Sequence, residues 1–158
     1  MRSAAKVHKP VIRQSIEADC AELASHIRQE DLLEVFHASG KDPLQAIQQG
    51  FTISQETLTV TLGHRVVLMV GIVGVAGVAG SPWMLATEEL TKIRKTFLRD
   101  GSVLRDRWLK QYKHLENKVW TRNETHVQWL RWMGFTFDPP AVYGPTGELF
   151  QRFYMKEK

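Results

Sequence analysis

The chain has 158 residues, 43% of them apolar and 24% charged, with a formal net charge of +4. That balance excludes a disordered tail and supplies enough apolar side chain for one core, so a single domain over residues 1–158 is expected. The lone cysteine, Cys20, excludes an internal disulfide framework and suits a reducing compartment.

The longest apolar run, residues 66–80, is too short and glycine-rich to span a bilayer, and no run of signal-peptide length follows the basic first residues. A soluble, cytoplasmic protein is expected. In chain order, residues 7–13 read as a strand that Pro10, lacking an amide donor, holds to an edge or a strand start. Ser15 can cap a helix whose Cys20, Leu23, Ala24 and Ile27 recur at i, i+3, i+4 and i+7. Residues 29–38 continue helically until Gly40, and Asp42-Pro43 opens a further helix that Gly50 closes.

Strand character begins at residues 57–62. Gly63-His64 makes a tight turn, and residues 65–73, rich in valine and isoleucine, form a second strand buried on both faces. Glycines at 71, 74, 77 and 80 predict a flexible loop over residues 74–82; no helix opens after them, which argues against a phosphate cradle. Residues 83–86 form a short strand. Thr87 caps the next helix, with Glu88 and Glu89 in its first turn.

That helix is the longest, with Ile93, Phe97, Gly101, Leu104, Trp108 and Tyr112 along one face. Gly101 costs about 1 kcal/mol relative to alanine, so a kink near Asp100 is expected. Between positions 92 and 113 stand eight lysines or arginines against two aspartates. Such a face is first of all solvated surface, but Lys92, Arg94, Lys95 and Arg99 also offer nonspecific contact with DNA phosphates. Four of the five tryptophans fall at positions 108, 120, 129 and 132, more than one core of this size needs, which points to a groove or an interface.

Residues 115–120 alternate as a strand and lead into NETHVQWLRWMGF. Asn123 is a strong N-cap type, Glu124 adds favourable charge, Val127, Leu130 and Met133 form an apolar stripe, and Gly134 fits the left-handed stop. His126 is expected on the surface of this helix. Strands at residues 135–137 and 149–155, with Val142-Tyr143 between turns, close the chain. No pair of His, Cys, Asp or Glu shows metal-ligand spacing, so no metal is expected.

The block of Asn123, ten residues, then Gly134-Phe135 resembles the last conserved block of the GCN5-related N-acetyltransferase (GNAT) superfamily. The resemblance implies an α+β three-layer fold, a central mixed and mostly antiparallel sheet with helices on both faces. In that family a tyrosine seven residues after the Asn serves as general acid; here the position is Leu130, which cannot protonate a leaving thiolate. The family's turn [Q/R]-x-x-G-x-[G/A] brings backbone amides to the pyrophosphate of CoA. The matching stretch here, residues 85–91, has no glycine and carries Glu88 and Glu89.

The segments W-M-L-A-T from Trp83, L-K-Q-Y, L-E-N-K-V-W, N-E-T-H-V-Q-W-L and F-Q-R-F are similar to GNAT-like internal virion or virion-assembly proteins of short-tailed bacteriophages. That resemblance implies a catalytically degenerate protein without cofactor, in the host cytoplasm or the virion, working through contact with phage or host proteins and not with membranes. The alternative is an acyl-CoA-dependent N-acetyltransferase with a non-standard acetyl-CoA site. Asn123 would then polarise the thioester side, backbone amides of Leu85, Ala86 and Thr87 would take pantetheine, and Glu88 or Glu89 would be the base.

Overall fold

The computed structural model describes residues 8–158; Val7, at the start of the expected first strand, lies outside them. Strand β1 (Pro10–Gln14) begins at its proline and pairs along one edge with β2 (Glu56–Leu62). Helices α1 (Glu17–His26), α2 (Gln29–Ser39) and α3 (Pro43–Ile53) fill the interval. Ser15 does not cap α1. Its hydroxyl pairs with that of Thr59 at 2.7 Å, and Asp19 inside the helix accepts the Ile16 amide instead, at 2.9 Å. Gly40 ends α2 in the left-handed region at φ 72°, and the Asp42 carboxylate caps α3 by accepting the Gln45 amide.

Gly50 does not close α3. It lies inside the helix against the Trp83 indole, where an added Cβ would stand 3.1 Å from Cζ2, so the glycine makes room for a ring. The same cause overturns the expected loop at residues 74–82. β3 (Arg65–Val75) turns at Gly77, φ 79°, into β4 (Ala79–Ala86), with Gly74 opposite Gly80 and Gly71 opposite Trp83. A Cβ on Gly71 would meet the Trp83 indole at 2.7 Å, so these glycines permit close approach of strand and ring.

A 3-10 turn (Glu88–Ile93) precedes α4 (Arg94–Tyr112), which continues through Gly101. The space left by the missing Cβ takes the Met133 methyl, and the break expected near Asp100 falls instead at the 3-10 junction. β5 (His114–Trp120), α5 (Glu124–Trp132), β6 (Thr136–Phe137), β7 (Ala141–Val142) and β8 (Leu149–Lys156) complete the chain. The sheet runs β1-β2-β3-β4-β5-β8-β6, with β7 also on β8; β4 and β5 are parallel and every other pair is antiparallel.

Both faces are covered, as an α+β three-layer fold requires. Cys20, Leu23 and Ile47 from α1 and α3 pack on Val66, Met69 and Leu85 on one side. On the other, Trp108 and Tyr112 from α4, with Met133 just after α5, meet Ile72, Leu115 and Phe153. β3 is therefore buried on both sides, as its composition predicts. Trp108, Trp120 and Trp129 go into the interior, while Trp132 stays 62% exposed. No helix among the described residues is long and apolar enough to cross a membrane.

Candidate functional site

β4 and β5 register at one residue pair, Gly80 with Leu115, near the start of each strand. Beyond it the strands diverge, which leaves backbone groups at their C-terminal ends without a ladder partner, and buried groups of that kind need one. Helix α2 supplies it. The Asp31 carboxylate, fully buried, accepts the Ala86 amide at 2.9 Å, and Glu34 accepts the Trp120 amide at 2.8 Å. The Arg28 amide donates to the Ala86 carbonyl at 2.9 Å. One helix thereby ties down the ends of both strands.

The same carboxylates gather a buried polar cluster. The Asn123 amide nitrogen donates to Asp31 Oδ1 at 2.9 Å and lies 3.2 Å from His126 Nδ1, while Arg28 pairs with Asp31 Oδ1 at 3.1 Å. His126 Nδ1 stands 3.8 Å from Asp31 and 3.9 Å from Glu34. Burial pushes the Glu34 carboxyl up to about 8, reinforced by the charge of Asp31 and only partly opposed by the Trp120 amide and Asn123. Burial also lowers the His126 imidazole, with Arg28 acting the same way and Asp31 against it. At neutral pH both groups are uncharged and the Arg28–Asp31 pair balances itself.

Two expectations fail here for one reason. Asn123 makes no capping bond to α5, and His126 is buried instead of lying on the helix surface. Both turn toward α2 because the partners they find there are 92 residues distant in sequence for Asn123. Periodicity along α5 carries no trace of that contact.

A cavity of about 710 Å³ opens along the diverging strands, lined among others by Trp83, Leu85, Phe97, Asn117, Glu34 and His126. Leu130, at the position of the family's acid, also faces it. Of the residues expected to act in a transferase, Leu85 borders the cavity, whereas Glu88, Glu89 and Asn123 do not. Asn123 is fully buried. Thr87 is buried too: its amide and hydroxyl donate to the Val67 carbonyl, and its hydroxyl oxygen accepts the Glu89 amide. Glu89 pairs with Lys92 at 2.8 Å and Arg65 at 3.2 Å, which holds its carboxyl below the usual range, Lys92 contributing most. Glu88 is exposed.

The amides of Ala86, Thr87, Glu89 and Leu90 therefore all have acceptors inside the protein. A pyrophosphate placed at this turn would find them engaged and two carboxylates beside it. These residues do not fit the cradle that the family's glycine-rich turn provides. The basic face of α4 is partly self-compensated, with Lys92 paired to Glu89, Arg99 to Asp100 and Arg107 to Glu56.

No protein-family model matches the sequence, and no curated protein matches it. Solved structures do. The chain is similar to Ard1 from Thermoplasma volcanium, with 17% identity, a TM-score of 0.70 and coverage of 94% of this chain and 98% of that one. It is also similar to the ribosomal-protein-S5-alanine acetyltransferase from Vibrio fischeri, at 13% identity, TM-score 0.66 and coverage of 98% and 97%. A GNAT-family acetyltransferase from Streptococcus pneumoniae gives 16% identity, TM-score 0.62 and coverage of 95% and 100%. The fold is the GNAT fold. At these identities the likeness concerns architecture, and the chemistry has to be argued from this chain's own GNAT-like cleft.

Proposed function

We propose that this chain is a GNAT-fold protein that has given up CoA-dependent catalysis and acts through contact with phage or host proteins during virion assembly or infection. One observation carries the reading: Asp31 already takes the Ala86 amide and the Asn123 side chain, the two groups on which acyl transfer at this site would rely. Glu88 and Glu89 add negative charge where CoA would bring more.

Contact with proteins is supported by exposed apolar side chains on the outer hairpin, Val142, Tyr143 and Leu149. Phe36 on α2 adds to them, next to His37, whose imidazole meets Thr146 of the same loop at 2.7 Å. Apolar side chains grouped at a surface are the usual material of interfaces.

Calorimetric titration of the purified chain with acetyl-CoA tests the first half. No saturable heat is expected up to about 1 mM; a Kd tighter than about 100 μM, roughly 5.5 kcal/mol, would favour a transferase. Sedimentation of the chain with purified phage particles tests the second half.

The transferase reading keeps one observation in its favour, the cavity along β4 and β5 with a protonatable carboxyl in its wall. On that reading the base would be Glu34, which borders the cavity, and not Glu88 or Glu89, which do not.

A further inference from the structure

Independently of the function proposed above, we propose that Asp31, Glu34 and His126, completed by Asn123, form a binding site for one divalent transition-metal ion of the zinc type. One ligand atom from each of the first three lies within 4.8 Å of the other two. Bonds of about 2.1 Å in a tetrahedral site set ligand atoms about 3.4 Å apart, so the His126 nitrogen at 3.8 and 3.9 Å from the two carboxylates requires closure by about half an ångström, and the Asp31–Glu34 pair, within 4.8 Å, by no more than about 1.4 Å. An imidazole nitrogen with carboxylate oxygens is a donor set that suits zinc.

Asn123 gives the second, independent indication. Its amide points into the cluster, with Nδ2 within hydrogen-bonding distance of Asp31 Oδ1 and His126 Nδ1, yet its Oδ1 is buried and has no partner among the described residues. A buried carbonyl oxygen without a donor costs about 1–3 kcal/mol, which a protein seldom leaves uncompensated. Rotation of the amide by half a turn exchanges the two atoms. The Nδ2 protons, now standing where a cation would be, turn away, and Oδ1 becomes the fourth ligand and the third oxygen donor.

The histidine is already in the required tautomer. To accept from Asn123, Nδ1 must be unprotonated, so its lone pair faces the two carboxylates and the proton sits on Nε2. Every charged neighbour can be named. Arg28 faces Asp31 at 3.1 Å and reaches Glu30 at 3.5 Å, and its positive charge limits the affinity. Asp31 is set against Arg28 and Glu34 is uncharged at neutral pH, so an entering ion must displace the Glu34 proton. Micromolar binding is expected in place of the far tighter binding of closed structural zinc sites.

The test is calorimetric titration of the chelator-stripped full chain with Zn2+, paired with visible spectra after Co2+ addition. Saturable uptake of one ion per chain, with Kd of about 1–50 μM and a cobalt ligand-field band, is expected. Glu34→Gln, which keeps the shape and the acceptor for the Trp120 amide, and His126→Gln, which removes the ring nitrogen, should each weaken uptake at least about tenfold, and His64→Gln at an exposed turn should not. Uptake unchanged in both cluster variants, or none below about 1 mM, would overturn the proposal. Should the variants not fold, histidine 15N spectra of the native chain decide. A zinc-induced shift of one buried Nδ1 supports the site, and shifts confined to exposed histidines refute it.

Discussion

Two strand-to-helix junctions flank the cleft, and they are built on opposite principles. After β4, Thr87 accepts the amide of Glu89 two residues on, and Glu89 pairs with Lys92 within the same turn. After β5, Asn123 leaves its own helix uncapped and reaches across to Asp31 on α2. The helix start at the first junction is capped by a neighbour in sequence, with Thr87 also tied to Val67 on the adjacent strand, whereas at the second the cap residue is drawn off by a partner from the far side of the cleft. The cap at the first turn can be altered with little effect beyond β3, whereas the second junction ties α2, β4, β5 and α5 into one unit.

The largest expected effect therefore belongs to Asp31, the hub of the second junction. Asp31→Ala would strip the acceptor from the Ala86 amide, the Asn123 side chain and the Arg28 guanidinium at once. Removing one member of a buried ion pair typically costs about 3–5 kcal/mol, so a loss of that order is expected in urea unfolding. Asp31→Asn, which keeps the shape and one acceptor oxygen, should lose visibly less. Equal losses for the two would mean that the junction is held by packing and not by its acceptor.

The second effect is a dependence on pH, to be read on the chelator-stripped chain. Glu34 has its folded value raised from 4.5 to about 8, so the native state holds a proton that the unfolded chain has released. Its contribution is fully present below pH 4.5 and is lost as pH rises toward 8. His126 works in the other direction: its folded value lies below the ordinary 6.5, so its contribution is present above pH 6.5 and lost as pH falls. From pH 6.5 to 8 Glu34 therefore acts alone. Stability should decline by about 2 kcal/mol across that window, one proton at about 1.4 kcal/mol per pH unit. Glu34→Gln should flatten the slope, and a native chain with no slope there would show that Glu34 is solvated.

The contrast between the junctions also explains what was legible in the sequence. Thr87, Asp42 and Gly40 announce caps and stops through partners two to four residues away, and the structure places them as the sequence predicts. The order of strands and helices was legible because periodicity is a local property. Gly50, Gly71 and Gly80 misled because their cause is the bulk of a distant side chain, Trp83 for the first two and Ile72 and Tyr112 for the third. Asp31, Glu34 and His126 carry no spacing signal at all. Their meeting follows from the divergence of β4 and β5, which is a property of the whole sheet.

The smallest effect is expected at the first junction. Thr87→Val preserves the β-branched shape in a buried site and removes only the hydroxyl that accepts from Glu89 and donates to Val67. Loss of a cap of this kind costs about 1 kcal/mol, and the carbonyl of Val67 keeps the Thr87 backbone amide at 2.8 Å as its donor. A drop in unfolding free energy of about 1 kcal/mol, with an unchanged slope between pH 6.5 and 8, is the expected result, the pH limits being those set by Glu34 and His126. The unchanged slope is the sharper half of the test. If Thr87→Val altered the titration of Glu34, the two junctions would be coupled through Ala86, whose amide and carbonyl both bond to α2 residues, and the separation drawn between them would fail.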